Sequence, residues 1–287
     1  MITYNNLYLE IRRTLLQKGF PGASLEAREL VCCGSCKSRE DFYRDAPLYV
    51  PPETEAAVRA LVDRHIHGEP VAYLIGEWEF YGLTLDVSEA VLIPRVDTEV
   101  LAGEAIRYVQ KQGRCRVLDL CAGSGCVGLA VAANAPDSRV LLGEISEPAI
   151  RLCRQNIRRC GLSSQVTVMA VDALQPPPEA VGEFQCIVCN PPYIPQADVE
   201  TLEHSVKDFE PYLALCGGED GLDFYTAISR DWRSALTVGG RLCFEVGIGQ
   251  ADTVLRIMRS YGFGDIITTP DTQGIPRVVC GTLLEAV

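Results

Sequence analysis

The spacing of apolar positions changes twice along this chain. A helical period gives way to a short alternating stretch, and then to buried runs separated by helices. Over the first seventy residues only the helical period is present. Leu7, Ile11 and Leu15 fall on one helix face, and Gly19 closes that segment. Ser24 is placed to cap a second helix that carries Leu30 and Val31 and stops near Gly34. Ser38-Arg-Glu-Asp41 has the form of a capping box and opens a short third helix. Pro51-Pro52 starts a fourth, with Val58, Leu61, Val62 and Ile66 as its apolar face and Gly68 as its end. The pattern predicts a small helical bundle over residues 1–70.

From Gly68 to Leu83, strand-forming residues are broken by glycines, and Leu83-Thr-Leu-Asp-Val87 alternates. This predicts a β-hairpin within a linker of residues 71–95. Asp97 or Thr98 then caps a helix through Val100, Leu101, Ala105 and Tyr108, closed by Gly113. Beyond it strands and helices alternate. Strands are predicted over Val117–Leu120, Val140–Glu144, Val166–Val171, Cys186–Cys189, Arg241–Val246 and Val278–Leu283, with a weaker one near Ile266–Thr268. Helices fall between them, over Cys126–Ala133, Pro148–Cys160, Leu222–Leu236 and Ala251–Tyr261. Such alternation predicts an α/β domain over residues 96–287, with a doubly wound, mostly parallel, seven-stranded Rossmann-like sheet. The last two strands are expected as an antiparallel hairpin at one edge.

Composition narrows the partners. The net charge of −12 opposes tight non-specific binding to nucleic acid, which depends on neutralising phosphates with Lys and Arg. No apolar run approaches the ~20 residues that span a membrane. The first residues lack a basic region followed by an apolar one, so a cytoplasmic location is expected. Thirteen cysteines invite a metal or disulfide framework. However, Cys33-Gly-Ser-Cys36 has no second pair at matching spacing, and Cys186 and Cys189 on one strand point to opposite faces. No metal site is expected. His65, His67 and His204 form no catalytic spacing.

Two stretches carry chemistry. Asp119-Leu-Cys-Ala-Gly-Ser-Gly125 follows the first strand of the sheet and opens a helix. Gly123 and Gly125 allow a sharp turn and a close approach by a ligand, and Ser124 is too small to block it. Glu144 ends the next strand, where a carboxylate can accept from a ribose diol; Asp172, ending the third, can accept from an adenine amino group. Gly123-x-Gly-x-x-Gly128 also fits a dinucleotide site. Asp119 favours S-adenosylmethionine, whose cationic amino group it can meet, over a nicotinamide cofactor; a loop cap is its blander role. The second stretch is Asn190-Pro-Pro-Tyr193, which ends the fourth strand. Two prolines remove two donors, and Asn190 is forced into an extended conformation. The Asn190 side-chain oxygen and the Pro191 carbonyl can both accept from one NH₂ group, while Tyr193 packs on a flat acceptor. The fourth strand is expected beside the first, across the switch point where ligands bind.

These stretches resemble the release-factor glutamine methyltransferases of the HemK/PrmC family. The likeness extends through Gly68-Glu-Pro-Val-Ala-Tyr73, Leu92-Ile-Pro-Arg95, Glu210-Pro-x-Leu-Ala214, Gly217-Gly-Glu-Asp-Gly-Leu-Asp-Phe-Tyr225, Glu245-x-Gly247 and Gly274-Ile-x-Arg277. It implies a class I S-adenosylmethionine-dependent methyltransferase acting on the Gln of the Gly-Gly-Gln motif in class 1 peptide chain release factors. It further implies that Asn190 and Pro191 hold the Gln amide, with Pro192 and Tyr193 shaping the pocket. Asp119, the loop of Cys121, Ala122, Gly123, Ser124 and Gly125, then Glu144, Asp172 and Ala173 would bind the cofactor, with Asn190 at the border. The helical bundle would help to recognise the release factor.

The chain departs from the family at three places. Glu144 stands for the usual Asp, Cys121-Ala122 for Gly-Thr, and Val96 for a second proline after Arg95. Arg95 is kept, and its blander role is a salt bridge to Asp97 or Glu99. The rival reading is an adenine-amino methyltransferase acting on DNA or RNA, which shares Asn-Pro-Pro-Tyr but needs a basic reading surface.

Overall fold

The computed structural model describes residues 1–285, and the chain divides into two compact units. One comprises Met1–Glu77 with His204–Phe209; the other comprises Trp78–Glu203 and the chain from Glu210 onward.

The first unit is helical: α1 (Tyr4–Gln17), α2 (Ala23–Gly34), α3 (Arg39–Asp45), α4 (Pro52–Ile66) and α5 (Val71–Ile75). Leu7, Ile11 and Leu15 are buried on one face of α1, as their spacing predicts. The Ser38 side chain accepts from the Asp41 N–H and starts α3, and Pro52 sits in the first turn of α4. Two expectations fail. Ser24 caps nothing: α2 begins one residue earlier behind Gly22, whose carbonyl takes the Leu25 and Glu26 N–H groups. Val71–Ile75, rich in strand formers, is a helix. Pro70 presets its entry, Gly76 closes it at φ 76°, and Val71 and Ala72 are buried, so packing against α2 overrides a weak strand propensity. The stretch 71–95 is therefore shared, with α5 in the helical unit and the hairpin turn in the other.

The second unit opens at Trp78, within the hairpin of β1 (Glu77–Phe80) and β2 (Leu83–Asp86), and continues with α6 (Thr98–Gln112). The alternating part follows as β3 (Arg116–Leu120), α7 (Cys126–Asn134), β4 (Arg139–Glu144), α8 (Glu147–Arg159), β5 (Val166–Ala170) and β6 (Phe184–Cys189). Next come single turns α9 (Gln196–Val199) and α10 (His204–Lys207), the latter in the helical unit, and α11 (Asp223–Asp231). The chain finishes with β7 (Leu236–Glu245), α12 (Ala251–Ser260), β8 (Phe263–Pro270) and β9 (Pro276–Leu283).

Seven strands form one sheet in the order β5-β4-β3-β6-β7-β9-β8. β5, β4, β3, β6 and β7 run parallel, and β9 is antiparallel to both its neighbours. The expected terminal hairpin is present, with β9 inserted beside β7 and β8 at the edge. Central strands are buried on both faces, which explains their continuous apolar runs. Val117, Cys186 and Val188 face one core with Leu101 and Ala105 of α6 and Leu129 of α7. Leu118, Leu120, Ile187 and Cys189 face the other, with Ile228 of α11 and Val254 and Met258 of α12. Cys186 and Cys189 thus lie on opposite faces, as a strand requires.

Leu118 is fully buried at the centre of this sheet. Leu118→Ala is expected to destabilise the unit that holds this sheet by about 2–5 kcal/mol in urea unfolding; a change within about 0.5 kcal/mol, the range of surface substitutions, would contradict this packing.

Candidate active site

Leu120 of β3 pairs with Cys189 of β6. The next residues, Cys121 and Asn190, therefore leave adjacent strands side by side at the carboxyl end of the sheet. There the walls enclose a cavity of about 200 Å³. Asp119, the four residues from Cys121 to Ser124, Glu144, Asp172, Ala173, Asn190 and Pro192 all line it. Gly125, Pro191 and Tyr193 do not.

The loop after β3 turns through positive φ at Cys121 (57°), Gly123 (56°) and Gly125 (82°). Cys121 takes a left-handed conformation that favours glycine, at a cost of roughly 1–2 kcal/mol. The loop is held by Ala122 N–H on the Gly143 carbonyl at 3.1 Å and Gly125 N–H on the Ala122 carbonyl at 2.7 Å. The thiol of Cys153 donates to the Gly123 carbonyl at 3.1 Å. Nothing lies within 4 Å of where a Gly123 side chain would project, so a ligand can reach this backbone.

The carboxylates have distinct settings. Asp119 is 2 % exposed and accepts the Gly128 N–H at 2.8 Å, so it does cap the following helix. Burial pushes its carboxyl up to about 7, against that hydrogen bond, and Glu144 adds to the rise. The Glu144 carboxylate accepts from Gly123 N–H at 2.8 Å and from Ile145 and Ser146 N–H, each at 2.9 Å. It is fixed before any ligand arrives. Asp172 accepts from Leu174 N–H at 2.9 Å, and the Trp232 indole N–H holds the Ala173 carbonyl at 3.1 Å.

The Asn190-Pro-Pro-Tyr193 stretch is built from behind. Ile194 N–H donates to Leu215 at 3.0 Å and Gly217 N–H to Ile194 at 2.9 Å. Gln250 donates to the Tyr193 carbonyl at 2.9 Å, while its own oxygen accepts from Gly247 N–H at 3.0 Å and from the Tyr225 hydroxyl at 3.3 Å. The Gly217–Tyr225 stretch is therefore the backing of Asn190-Pro-Pro-Tyr193. The Tyr193 ring packs against the core around Leu118 rather than into the cavity wall, and burial pushes its hydroxyl up to about 12.

Further side chains support the site. Arg95 pairs with the buried Glu210, whose other oxygen accepts from Ile93 N–H at 3.2 Å, and not with Asp97 or Glu99. Asp97 is taken by Arg277 at 3.2 Å, Glu99 accepts the Tyr81 N–H at 2.8 Å, and Arg277 also meets Asp271 at 2.9 Å. Asp97 sits at the start of α6 without a capping bond, and Thr98 turns its hydroxyl to Asn190 Nδ2 at 3.3 Å. Glu245 and Gln250 carry no role that the sequence predicts, and Thr98, expected there only as a helix cap, is instead the first residue of α6. Glu245 lies within a stretch of the resemblance, but only its burial beside Asn190 reveals what it touches.

A doubly wound seven-stranded sheet with a glycine loop after its first inner strand and an Asn-Pro-Pro end beside it is a class I methyltransferase fold. Residues 95–213 match the methyltransferase small domain family and residues 6–76 match the PrmC N-terminal domain family. The catalytic domain of hMettl16, solved in complex with a MAT2A 3′UTR hairpin, shares the fold with a TM-score of 0.55 at 16% identity, over 72% of this chain and 78% of that one. The release factor glutamine methyltransferase of Geobacter sulfurreducens is 41% identical over 95% of this chain and 94% of its own. That of Clostridium acetobutylicum is 40% identical over 73% and 74%. The chain belongs to the release factor glutamine methyltransferase family.

A Cβ on Gly217 would stand 2.6 Å from the Pro192 carbonyl oxygen and 2.8 Å from Tyr193 Cα, both backbone atoms that cannot step aside. Gly217→Ala is expected to displace the acceptor stretch and lower methyl transfer by about 10²-fold. Calorimetry should find binding of S-adenosylhomocysteine little changed; an active variant would contradict the backing role.

Proposed function

We propose that this chain transfers a methyl group from S-adenosylmethionine to the side-chain amide nitrogen of the Gln in the Gly-Gly-Gln motif of class 1 peptide release factors. One observation carries the reading: the glycine loop and Asn190 line the same cavity on adjacent strand ends. The cavity's own groups suit that cofactor. Asp119 is costly to ionise without a cationic partner, and an amino group would supply one. The buried Ser124 hydroxyl has no hydrogen-bond partner beyond the neighbouring Cys126 thiol. Glu144 would take ribose hydroxyls, and Asp172 with Ala173 would border the adenine. When bound, S-adenosylmethionine supplies a methyl carbon made electrophilic by its sulfonium.

The chain's own work is positioning. An amide nitrogen is a poor nucleophile because its lone pair is delocalised. Asn190, which lines the cavity, would accept one hydrogen through Oδ1 and, as the family resemblance implies, the Pro191 carbonyl behind the cavity wall would accept the other, orienting the NH₂ group and favouring positive charge on nitrogen. A carboxylate in place of the amide would face two acceptors and be repelled, which selects Gln over Glu. No strong base is required, because the proton leaves after nitrogen has gained the methyl group. The helical unit is assigned to gripping the release factor, and the acidic chain suits a protein partner in the cytoplasm better than nucleic acid.

Asn190→Ala is expected to lower methylation of a release factor by about 10²–10³-fold, with cofactor affinity held. Radiolabelled methyl transfer to a release factor and to DNA, read in parallel with calorimetry, checks this. Labelling of DNA alone, or equal loss of binding and transfer in the variant, would overturn the reading.

A further inference from the structure

The Asn190 carboxamide has an accepting end and a donating end, and a half-turn exchanges them. The reaction above works with only one of these orientations. The structure contains the device that chooses it. Asn190 Nδ2 lies 3.3 Å from Thr98 Oγ1. Behind both is Glu245, the last residue of β7, 3 % exposed. Cys189 pairs with Phe244, so Asn190 and Glu245 leave neighbouring strands side by side; Thr98 and Asn190 both favour the ionised form of the Glu245 carboxyl, and its Oε2 has no hydrogen-bond partner among the described residues.

An ionised carboxylate can only accept. While Glu245 is ionised, a Thr98 hydroxyl that accepts from Asn190 Nδ2 has its single proton left to give to Glu245. Asn190 in turn can face Glu245 only through its NH₂. Both donors of the amide are turned into the protein, and Oδ1 is left for the cavity. We propose that Glu245, together with Thr98, is a positioning residue that locks the Asn190 amide with its oxygen toward the cavity and so sets selectivity for an acceptor side chain bearing N–H. This rests on the reaction proposed above.

Other charged groups face Glu245 too. Arg277 on β9 favours its ionised form and Asp97, ahead of α6, opposes it. Tyr193 adds a phenol that burial keeps protonated. Burial of Glu245 prevails and pushes its carboxyl up to about 7, despite the Thr98 contact. Below that pH the carboxyl carries a proton. It can then donate to the Asn190 oxygen, and the amide is free to turn its NH₂ outward. Methyl transfer at saturating cofactor should therefore fall as pH drops through about 7.

The test compares wild type, Glu245→Gln, Thr98→Val and Thr98→Ser. It reads kcat on a release factor at saturating S-adenosylmethionine across pH, and S-adenosylhomocysteine affinity by calorimetry. Glu245→Gln and Thr98→Val are expected to lose about 10- to 100-fold in kcat with cofactor affinity kept. Thr98→Ser, which retains the hydroxyl, should keep most of the activity, and Glu245→Gln should lack the acid limb of the pH profile. Should Glu245→Gln not fold, the Thr98 pair decides. Wild-type kcat in Thr98→Val, equal damage in Thr98→Ser and Thr98→Val, or an unchanged acid limb in Glu245→Gln would overturn the inference alone. A wild-type protein that transfers no methyl to the release factor would overturn the proposed reaction and this inference with it.

Discussion

The pairing of β3 with β6 is the constraint on which the site depends. Leu120 and Cys189 are register partners, so the two strands end together. A sharp turn through Cys121, Gly123 and Gly125 on one side, and a double proline on the other, then carry the two chains apart. The cavity is the space between them. A slip of one residue would turn Leu118 and Leu120 from one core to the other, so the burial of both faces specifies the register strongly. The chemistry is positioned by apolar packing that takes no part in it.

Polar groups near the cavity are arranged in a second tier that joins distant parts of the chain. Arg95 meets Glu210, Arg277 meets Asp97 and Asp271, Gln250 holds Tyr193, and Thr98 meets Asn190. Arg95, Asn190, Tyr193, Glu210 and Arg277 come from four of the eight stretches on which the family resemblance rests, and Asp97, Thr98, Gln250 and Asp271 lie outside them. Scattered in sequence, they form one support around the acceptor stretch. Removing one partner leaves a buried group unsatisfied, which costs more than the bond itself contributes.

Much of the fold was legible in the sequence because period and punctuation agree there. All seven strands follow from their apolar runs, and α1, α3 and α4 follow from spacing with Ser38 or Pro52 at the start. Val71–Ile75 was misread because five residues hold too little periodicity to outweigh strand-forming side chains. Most of the residues that line the cavity were legible because glycines and prolines mark backbone shape directly. The pairing of Arg95 was not, since its nearest acids in sequence are not its nearest in space. Glu245 was equally hidden: on a buried strand its side chain gives no sign of facing Asn190 rather than a cation.

The account turns on which atom receives the methyl group. The most direct measurement is fragmentation mass spectrometry of a release factor after incubation with this protein and S-adenosylmethionine. The expected result is one methyl group on the side chain of the Gln in Gly-Gly-Gln, and none when that Gln is replaced by Glu. A methyl group elsewhere on the protein, or on a Gln outside that motif alone, would contradict it.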